Sequence, residues 1–378
     1  MLAKIARRAG SGSARQAGCD GTTPGDDAIE IEPTIERPGG EPCGGTMSEP
    51  EAKTVAATGL VGDIGGTHAR FGWVTASGAI EQVRSLNVAQ YPGPAQAARA
   101  YLAELHGTRS VAAESVVRRA ALAVATAVGG DRVQFTNSDW RFSRAALQAE
   151  LGLQTLLVLN DFEALALSLP RLGAAQLRPH AGRPTARGTM AVIGPGTGLG
   201  VAGVVQTPQG WLALPGEGGH ATLAAGDDFE AELLRRVRQE FGHVSAERLL
   251  SGIGLPVLHR AVAAVLGASV QPLTAQAVVE RGLSPADPVC QRTLDVFCAL
   301  LGSFAGNVAL TLGARGGVFI GGGIVPRLGE RFFASDFRKR FEDKGRFTAY
   351  LEAIPSALII DTHAALTGAA LALAQSGG

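Results

Sequence analysis

The chain contains 378 residues, of which 46% are apolar and 18% are charged. This length and composition allow two domains of ordinary size with a substantial core. The formal net charge is +0, which argues against a sequence-independent nucleic-acid surface because such a surface needs a basic excess. The apolar runs at 120–128 and 369–374 are much shorter than the roughly 18 residues that cross a bilayer, so the sequence predicts no membrane segment.

The N-terminal part differs from the rest of the chain. Residues 1–19 carry four basic side chains and no acidic one, whereas residues 20–45 are acidic and rich in glycine and proline. This composition predicts a disordered extension over residues 1–55. The segment contains no apolar stretch of the kind found in secretory signals, but its basic start resembles an organelle transit peptide. Met47 is an alternative start, and we expect a protein that begins there to keep its thermal midpoint and activity.

Cysteine usage points to a reducing compartment. Cys19, Cys43, Cys290 and Cys298 show no paired metal-binding spacing, and the last two lie on a predicted helix where buried thiols are expected. The sequence therefore favours a cytoplasmic protein.

The first folded pattern is a strand, a glycine turn and a second strand over residues 59–75. Apolar residues lead into Gly65-Gly66-Thr67. Glycine lets the backbone approach a ligand closely and adopt a positive φ, and successive N–H groups in such a turn bind anions. Asp63, at the end of its strand, is placed to hold a metal ion through water. The alternative is a tight hairpin with an aspartate cap.

The next segments predict alternating strands and helices. Ser143 can cap a helix that runs to Leu151, and Pro170 ends another. The predicted strands are 81–88, 120–127 and 156–159, and the predicted helices are 94–106, 143–151 and 162–169.

Asn160 and Asp161 follow the buried strand 156–159. Ligands of α/β folds bind at the carboxyl ends of strands, and an aspartate beside a sugar pocket can accept a hydroxyl proton as general base. The alternative is that Asp161 caps the following helix.

A second glycine hairpin occupies residues 190–205, after a segment (171–188) that we interpret as a crossing between domains. Its turn is Gly196-Thr197-Gly198. Because the segment after Gly198 continues as a strand, a dinucleotide-binding turn is disfavoured, and the Walker pattern is absent. Two similar hairpins indicate two related halves, each offering a loop to one nucleotide.

The loop 214–222 places Glu217 and His220 three residues apart. This pair suits hydrogen bonding to vicinal hydroxyls, although both residues could instead bind a metal. The absence of a cysteine cluster argues against structural zinc. Glu247 lies on a helix predicted over 246–250, where the helix dipole alone would favour an acid.

The remaining pattern is helical up to a last predicted strand, residues 317–320. That strand ends in Gly321-Gly322-Gly323, where backbone without side chains can lie flat against a purine; an ordinary loop is the alternative. Helices are predicted at 228–241, 256–266 and 288–312. The alternation predicts an α/β fold with mixed sheets.

Taken together, these segments resemble the bacterial ATP-dependent glucokinases of the hexokinase/actin-like superfamily. The resemblance runs from about Gly59 to the C-terminus. A related branch of sugar kinases carries a cysteine-rich zinc motif after Gly-Glu-x-Gly-His, whereas here residues 221–224 contain no cysteine, so the zinc-free group is indicated. The matching motifs are Gly62-Asp63-Ile64-Gly65-Gly66-Thr67, Leu159-Asn160-Asp161-Phe162, Gly196-Thr197-Gly198-Leu199-Gly200, 214–220, 245–252, 321–327 and 341–347.

The resemblance implies a role for each candidate residue. Asp161 would take the proton of the sugar 6-hydroxyl. The other sugar hydroxyls would be bound by Asn137, Asn160, Glu217, His220 and Glu247. The ATP-binding residues would be Asp63, Ile64, Gly65, Gly66 and Thr67 in the first loop, Gly196, Thr197 and Gly198 in the second, and Gly321, Gly322 and Gly323 beside the adenosine. Asp63 would also bind Mg²⁺ through water.

The resemblance also implies a ribonuclease H-like fold with a nucleotide and sugar cleft. A smaller domain would comprise residues 56–171 and 361–378, and a larger domain residues 172–360. The implied partners are D-glucose and ATP, with no nucleic acid or membrane, and the expected assembly is a homodimer. Two alternatives remain, namely a kinase for another hexose and a non-catalytic sugar-sensing regulator on the same fold.

Overall fold

The structure, a computed structural model, describes residues 58–108, 117–135 and 138–376. The predicted extension over 1–55 and the candidate sugar ligand Asn137 lie outside these ranges. The strands in them are β1 Gly59–Ile64, β2 His68–Val74, β3 Ile80–Asn87, β4 Arg119–Val124, β5 Arg132–Gln134, β6 Arg141–Ser143, β7 Thr155–Asn160, β8 Leu177–Ala181, β9 Met190–Pro195, β10 Leu199–Thr207, β11 Gly210–Gly216, β12 Gly317–Ile320 and β13 Ser356–Ile359.

The helices alternate with these strands, as the sequence predicts for an α/β fold. They are α1 Pro94–Thr108, α2 Arg144–Glu150, α3 Asp161–Ser168, α4 Asp228–Phe241, α5 Leu255–Val265, α6 Ala275–Gly282, α7 Pro288–Leu312, α8 Val325–Leu328, α9 Glu330–Phe333, α10 Phe337–Glu342, α11 Thr348–Glu352 and α12 Ala364–Gln375.

Two mixed sheets carry the fold and share one strand order. The first has the order β3-β2-β1-β4-β7, and the second has β11-β10-β9-β12-β13 with β8 added at its edge. In each sheet three antiparallel strands are followed by two parallel ones. The prediction of two related halves is therefore confirmed, because each half begins with a glycine hairpin, β1–β2 or β9–β10.

Two local predictions, a helix cap and a pair of buried cysteines, are confirmed. The Ser143 hydroxyl accepts a hydrogen bond from the Ala146 N–H at 3.1 Å and starts α2. Cys290 and Cys298 are free and buried in α7, and burial raises the pKa of the Cys298 thiol to about 12, which keeps it an unreactive thiol.

Three segments differ from the sequence predictions. Residues 171–188, interpreted as a crossing, contain strand β8, which pairs with β13 at the sheet edge. The first part of the predicted loop 214–222 belongs to β11. Residues 246–250 form a turn rather than a helix, so the helix-dipole explanation for Glu247 is wrong.

Helix α7 is the central helix of the second half. By length and composition it is the one described helix that could cross a membrane, but 67% of its most apolar window is buried inside the protein. Its buried residues include Phe297, Leu301 and Phe304, which belong to the large cluster that covers one face of the second sheet.

The last helix, α12, returns to the first sheet. It packs against α3 and contacts β1 and β4. Gly368 lies so close to the carbonyl oxygen of Ala164 in α3 that a Cβ atom at this position would clash with the backbone. The close approach of these two helices therefore requires glycine at 368.

This contact predicts that Gly368→Ala lowers the free energy of unfolding by about 3 kcal/mol, since backbone atoms must move to admit the methyl group. The thermal midpoint should fall by roughly 6 °C or more. Gly107→Ala is the matched control, because Gly107 lies in α1 and no atom would lie within 4 Å of a Cβ atom there. It should raise stability by about 0.5–1 kcal/mol through helix propensity. Thermal unfolding gives the midpoints of both variants, and a Gly368→Ala midpoint equal to that of Gly107→Ala would contradict the prediction.

Candidate active site

The first sheet brings two candidate carboxylates to one edge. Ile64, Val124 and Asn160 end the neighbouring strands β1, β4 and β7 in one row of the register. Strands are about 4.8 Å apart, so Ile64 and Asn160 are about two strand spacings from each other. Asp63 precedes one end of this row and Asp161 follows the other.

Asp161 is the first residue of α3, and its Oδ1 accepts a hydrogen bond from the Phe162 N–H at 2.9 Å. Burial raises the pKa of Asp161 to about 6, and the nearby Asp63 charge adds to the rise. An aspartate with this pKa is partly protonated near neutrality and can accept a proton on demand.

Asn160, not Asp161, caps α3. Its Oδ1 accepts from the Phe162 N–H at 2.9 Å, and Glu163 reaches back to the Asn160 N–H. The alternative reading of Asp161 as the cap is therefore wrong. The Asn160 amide donates one hydrogen to the Thr126 carbonyl at 3.1 Å, and its second amide hydrogen is available for a ligand.

Asp63 forms a salt bridge with an arginine side chain that the sequence analysis did not identify. Arg70 on β2 donates to Asp63 Oδ2 at 3.1 Å. Burial raises the pKa of Asp63, while the charges of Arg70 and His363 oppose the rise. Arg70 pairs opposite Asp63 in the β1–β2 register, and alternation along β2 is the sequence signal that could have revealed it.

The first glycine turn joins β1 to β2. The Gly65 N–H closes it on the His68 carbonyl at 2.9 Å, and Thr67 is exposed. Neither Gly65 nor Gly66 has a positive φ, so that part of the sequence argument is wrong. Their use is the close approach of a ligand to bare backbone.

Phe162 connects the first sheet's edge to the second hairpin. Gly194 on β9 and Gly200 on β10 face each other across the strands. The Phe162 ring occupies the space where a side chain at either glycine would lie. Because Phe162 follows Asp161 directly, this packing fixes the candidate base beside the hairpin that carries the second turn.

The second turn, Gly196 to Gly198, is supported from behind. The Gly252 N–H donates to the Gly196 carbonyl at 2.8 Å. Glu247 Oε2 accepts from the Leu199 N–H at 2.9 Å, and a side chain at Gly198 would collide with this carboxylate. The turn is thus held by one carboxylate and by backbone hydrogen bonds. A Cβ atom at Gly196 would have no neighbour within 4 Å, so this part of the turn is open.

The three glycines after β12 lie against the same turn. Gly321 donates to the Ile193 carbonyl at 2.8 Å. Gly322 has φ +76 and lies against the Pro195 carbonyl, so both backbone conformation and space require glycine there. Gly323 is exposed and open.

A cavity of about 410 Å³ opens between these two glycine segments. Its volume is within the range of small-molecule sites. Sequence reasoning did not identify most of the walls, which come from helices remote in sequence. The lining residues are Gly196, Thr197, Gly252, Leu255, Ala275, Gln276, Val279, Gly323, Ile324 and Arg327.

The sugar candidates Glu217, His220 and Glu247 lie together. His220 Nε2 is 3.9 Å from Glu217 Oε2, and His220 Nδ1 is 3.9 Å from Glu247 Oε1. Glu217 and His220 are exposed, with side-chain exposures of 73% and 60%, so both can contact a ligand. Within the described ranges, no three histidine, cysteine or acidic side chains are arranged as a metal-binding group.

The arrangement can hold a phosphorylated ligand along two backbone turns and a hydroxylated ligand between carboxylates. Backbone N–H groups bind anions, and carboxylates accept hydrogen bonds from hydroxyl groups. The Asp161 carboxylate can accept a proton.

The comparisons with known proteins show the family of the chain. The glucokinase family model matches residues 60–376. The glucokinase of Chromobacterium violaceum is 52% identical over 317 residues, which cover 84% of this chain and 89% of that protein. The glucokinase of Aromatoleum aromaticum is 50% identical over 316 residues, covering 83% of this chain and 94% of that one.

Solved structures give the same fold. The crystal structure of a glucokinase from an Antarctic psychrotroph is similar with a TM-score of 0.77 and 38% identity, covering 84% of this chain and 98% of that chain. A ROK family glucokinase from Streptomyces griseus, solved with glucose and AMPPNP, has a TM-score of 0.54 at 22% identity and covers 83% of this chain and 98% of that one; it supports the fold alone. The chain belongs to the glucokinase family.

Proposed function

We propose that this protein transfers the γ-phosphoryl group of ATP to the 6-hydroxyl of D-glucose, giving glucose 6-phosphate and ADP. The observation that carries the proposal is Asp161, whose raised pKa, about 6, and fixed position beside the second turn suit a general base. Family membership supports the same reaction, the first step of glucose use.

The reaction is a single displacement at phosphorus. The sugar O6 forms a bond to the γ-phosphorus while the bond from that phosphorus to the β-bridging oxygen breaks, and ADP leaves. The O6 proton passes to the Asp161 carboxylate. Phosphoryl transfer depends on positioning and electrostatic stabilisation rather than on covalent catalysis, which explains the number of backbone contacts around the two turns.

ATP binding is assigned to the glycine segments. Residues 64–67 and 196–198 would hold the phosphates, and Gly321 to Gly323 with the 410 Å³ cavity would hold the adenosine. The assignment is supported by Gly196, Thr197 and Gly323, which line that cavity, and by the bare backbone that the glycine segments present.

Asp63 fits a magnesium site. Mg²⁺ in phosphate-binding sites is held by one or two carboxylates, substrate phosphates and several waters. Asp63 is a largely buried carboxylate near the end of β1, with Oδ2 bound to Arg70. When bound, Mg²⁺ neutralises charge on the phosphates; Asp63 and Arg70 orient that end of the site.

Glucose hydroxyls would be bound by Asn160, Glu217, His220 and Glu247, with Asn137 from outside the described ranges. The grouping of His220 between two carboxylates supports this assignment. Glu247 would contact both the sugar loop and the second phosphate turn, because its Oε2 atom accepts a hydrogen bond from the Leu199 N–H.

We further propose the division into a smaller domain, 56–171 with 361–378, and a larger one, 172–360. The two sheets and the packing of α12 on α3 support it. We expect the protein to be a homodimer and to be located in the cytoplasm. The free, buried thiols of Cys290 and Cys298 accord with a reducing compartment. Light scattering measures the assembly.

The first prediction from the proposed reaction concerns the base. Asp161→Asn keeps the size of the side chain but removes the proton acceptor, so kcat should fall by about 10²-fold or more while glucose still binds. A coupled assay with ATP and a panel of hexoses gives the rate and the preferred sugar. Asp228→Asn, at an exposed position in α4, should leave kcat unchanged. Near-normal turnover of Asp161→Asn would refute the assignment.

The second prediction concerns pH. Because the base must be ionised and the pKa of Asp161 is raised to about 6, kcat/KM for glucose should rise with pH through about 6 and then level off. At pH 5 it should be about tenfold below the plateau. A profile measured with saturating ATP checks this. A rise centred near pH 4 would instead indicate an ordinary aspartate.

The third prediction concerns the sugar residues. Glu217→Ala and His220→Ala should each raise the glucose KM by about tenfold or more, since hydrogen bonds to the sugar are lost, with a smaller effect on the ATP KM. Glu352→Ala, an exposed glutamate in α11, is the control. Metal analysis should find no stoichiometric zinc. One tightly bound zinc per chain, or unchanged glucose KM values, would contradict this reading.

A further inference from the structure

The proposed sugar loop is attached to a second segment that binds no ligand in the assignments above. Residues 221–223 run antiparallel to residues 244–246, with Thr222 opposite Ser245. The Leu223 N–H donates to the Val244 carbonyl at 3.0 Å, and the Ala246 N–H donates to the Ala221 carbonyl at 2.9 Å. The contact is a short isolated bridge and not part of either sheet.

This contact determines how two sugar-binding candidates face each other. Just beyond it, the Glu247 N–H donates to the Gly219 carbonyl at 2.8 Å. His220 and Glu247 then lie on opposite sides, 3.9 Å apart. Any separation of the two segments would move one of these side chains away from the other.

The opposite side of the loop is fixed by backbone. Glu217 forms a bridge with Val201 on β10, and Gly219 lies directly on the Leu199 carbonyl, where no side chain fits. On the side facing residues 243–247, Leu223, Val244 and Ala246 are buried in the hydrophobic core, whereas the exposed end of the pairing, at Thr222, depends on hydrogen bonds.

One side-chain hydrogen bond reinforces that side. Thr222 Oγ1 lies 3.0 Å from His243 Nε2, and both residues are exposed. His243 is itself held by a tight turn after α4, where Gly242 has φ +66 and the His243 N–H donates to the Phe241 carbonyl at 2.7 Å. The bond therefore connects the exposed end of the loop to the turn that follows α4.

We propose that Thr222 and His243 are positioning residues for the sugar, holding His220 against Glu247 without contacting the ligand. The inference rests on the proposed function of this loop. A neutral side-chain hydrogen bond changes an equilibrium by about two- to tenfold, so its loss weakens glucose binding by that factor and leaves phosphoryl transfer unchanged.

The kinetic test compares variants that differ in one hydroxyl group. Thr222→Val should raise the glucose KM by about three- to tenfold, with kcat and the ATP KM within about twofold of the original protein. Thr222→Ser keeps the hydroxyl and should restore the glucose KM. His243→Leu should match Thr222→Val, and the double variant should be no worse than either, because both changes remove the same bond.

Thr311→Val is the matched control. Thr311 is exposed on α7, and its hydroxyl bonds to the Asn307 carbonyl at 2.8 Å, so the substitution removes a comparable bond away from the loop. It should leave the glucose KM unchanged. An equal rise in Thr222→Ser, or additive effects in the double variant, would overturn the proposal.

Hydrogen exchange measured without sugar or nucleotide tests the positioning role separately from the proposed function. Peptides covering residues 218–224 and 243–250 should exchange faster in Thr222→Val than in Thr222→Ser or Thr311→Val, with equal thermal midpoints. Unchanged exchange would overturn the positioning role even if glucose is phosphorylated. Failure of the proposed function would appear differently, as absence of glucose turnover in the original protein.

Discussion

The Phe162 ring between Gly194 and Gly200 is the contact on which the site depends. It joins α3, which begins with the candidate base, to the hairpin that carries the second turn. The carboxylate that precedes the ring is largely withdrawn from water, and this desolvation is the main cause of the raised pKa of Asp161. The Phe162 contact thus sets the position of the base, while burial sets its acidity.

Glycines around the site satisfy different physical needs that look alike in sequence. Gly194 and Gly200 make room for an aromatic ring, and Gly198 makes room for the Glu247 carboxylate. Gly322 needs a positive φ. Gly196 faces open space. A glycine-rich motif therefore contains both open backbone and backbone that makes room for the packing around it.

The sequence predicted what local pattern determines. Strand 317–320, the Ser143 cap and both hairpins depend on neighbouring residues and are confirmed. Strand β8 was missed because Arg178, Pro179 and His180 lack strand character; such a strand is possible only at an edge, where a proline is tolerated.

Glu247 shows what local patterns cannot predict. Ser245 followed by an acid and leucines imitates a capped helix, yet pairing with residues 221–223 makes the segment a turn. Its bond to Leu199 spans 48 positions. The walls of the 410 Å³ cavity likewise come from α5 and α6, which no motif connects to the glycine turns. The role of Glu247 came from the resemblance and remains a prediction.

The return of α12 to α3 has a consequence for synthesis of the protein. The chain emerges from the ribosome N-terminus first, so the helix that starts with Asp161 is made some two hundred residues before its packing partner. Until Gly368 and its neighbours leave the exit tunnel, the first sheet exposes the apolar surface that α12 covers, including Val61 and Ala121. The first half is therefore completed last, and a chain truncated before α12 would expose this surface to chaperones and proteases.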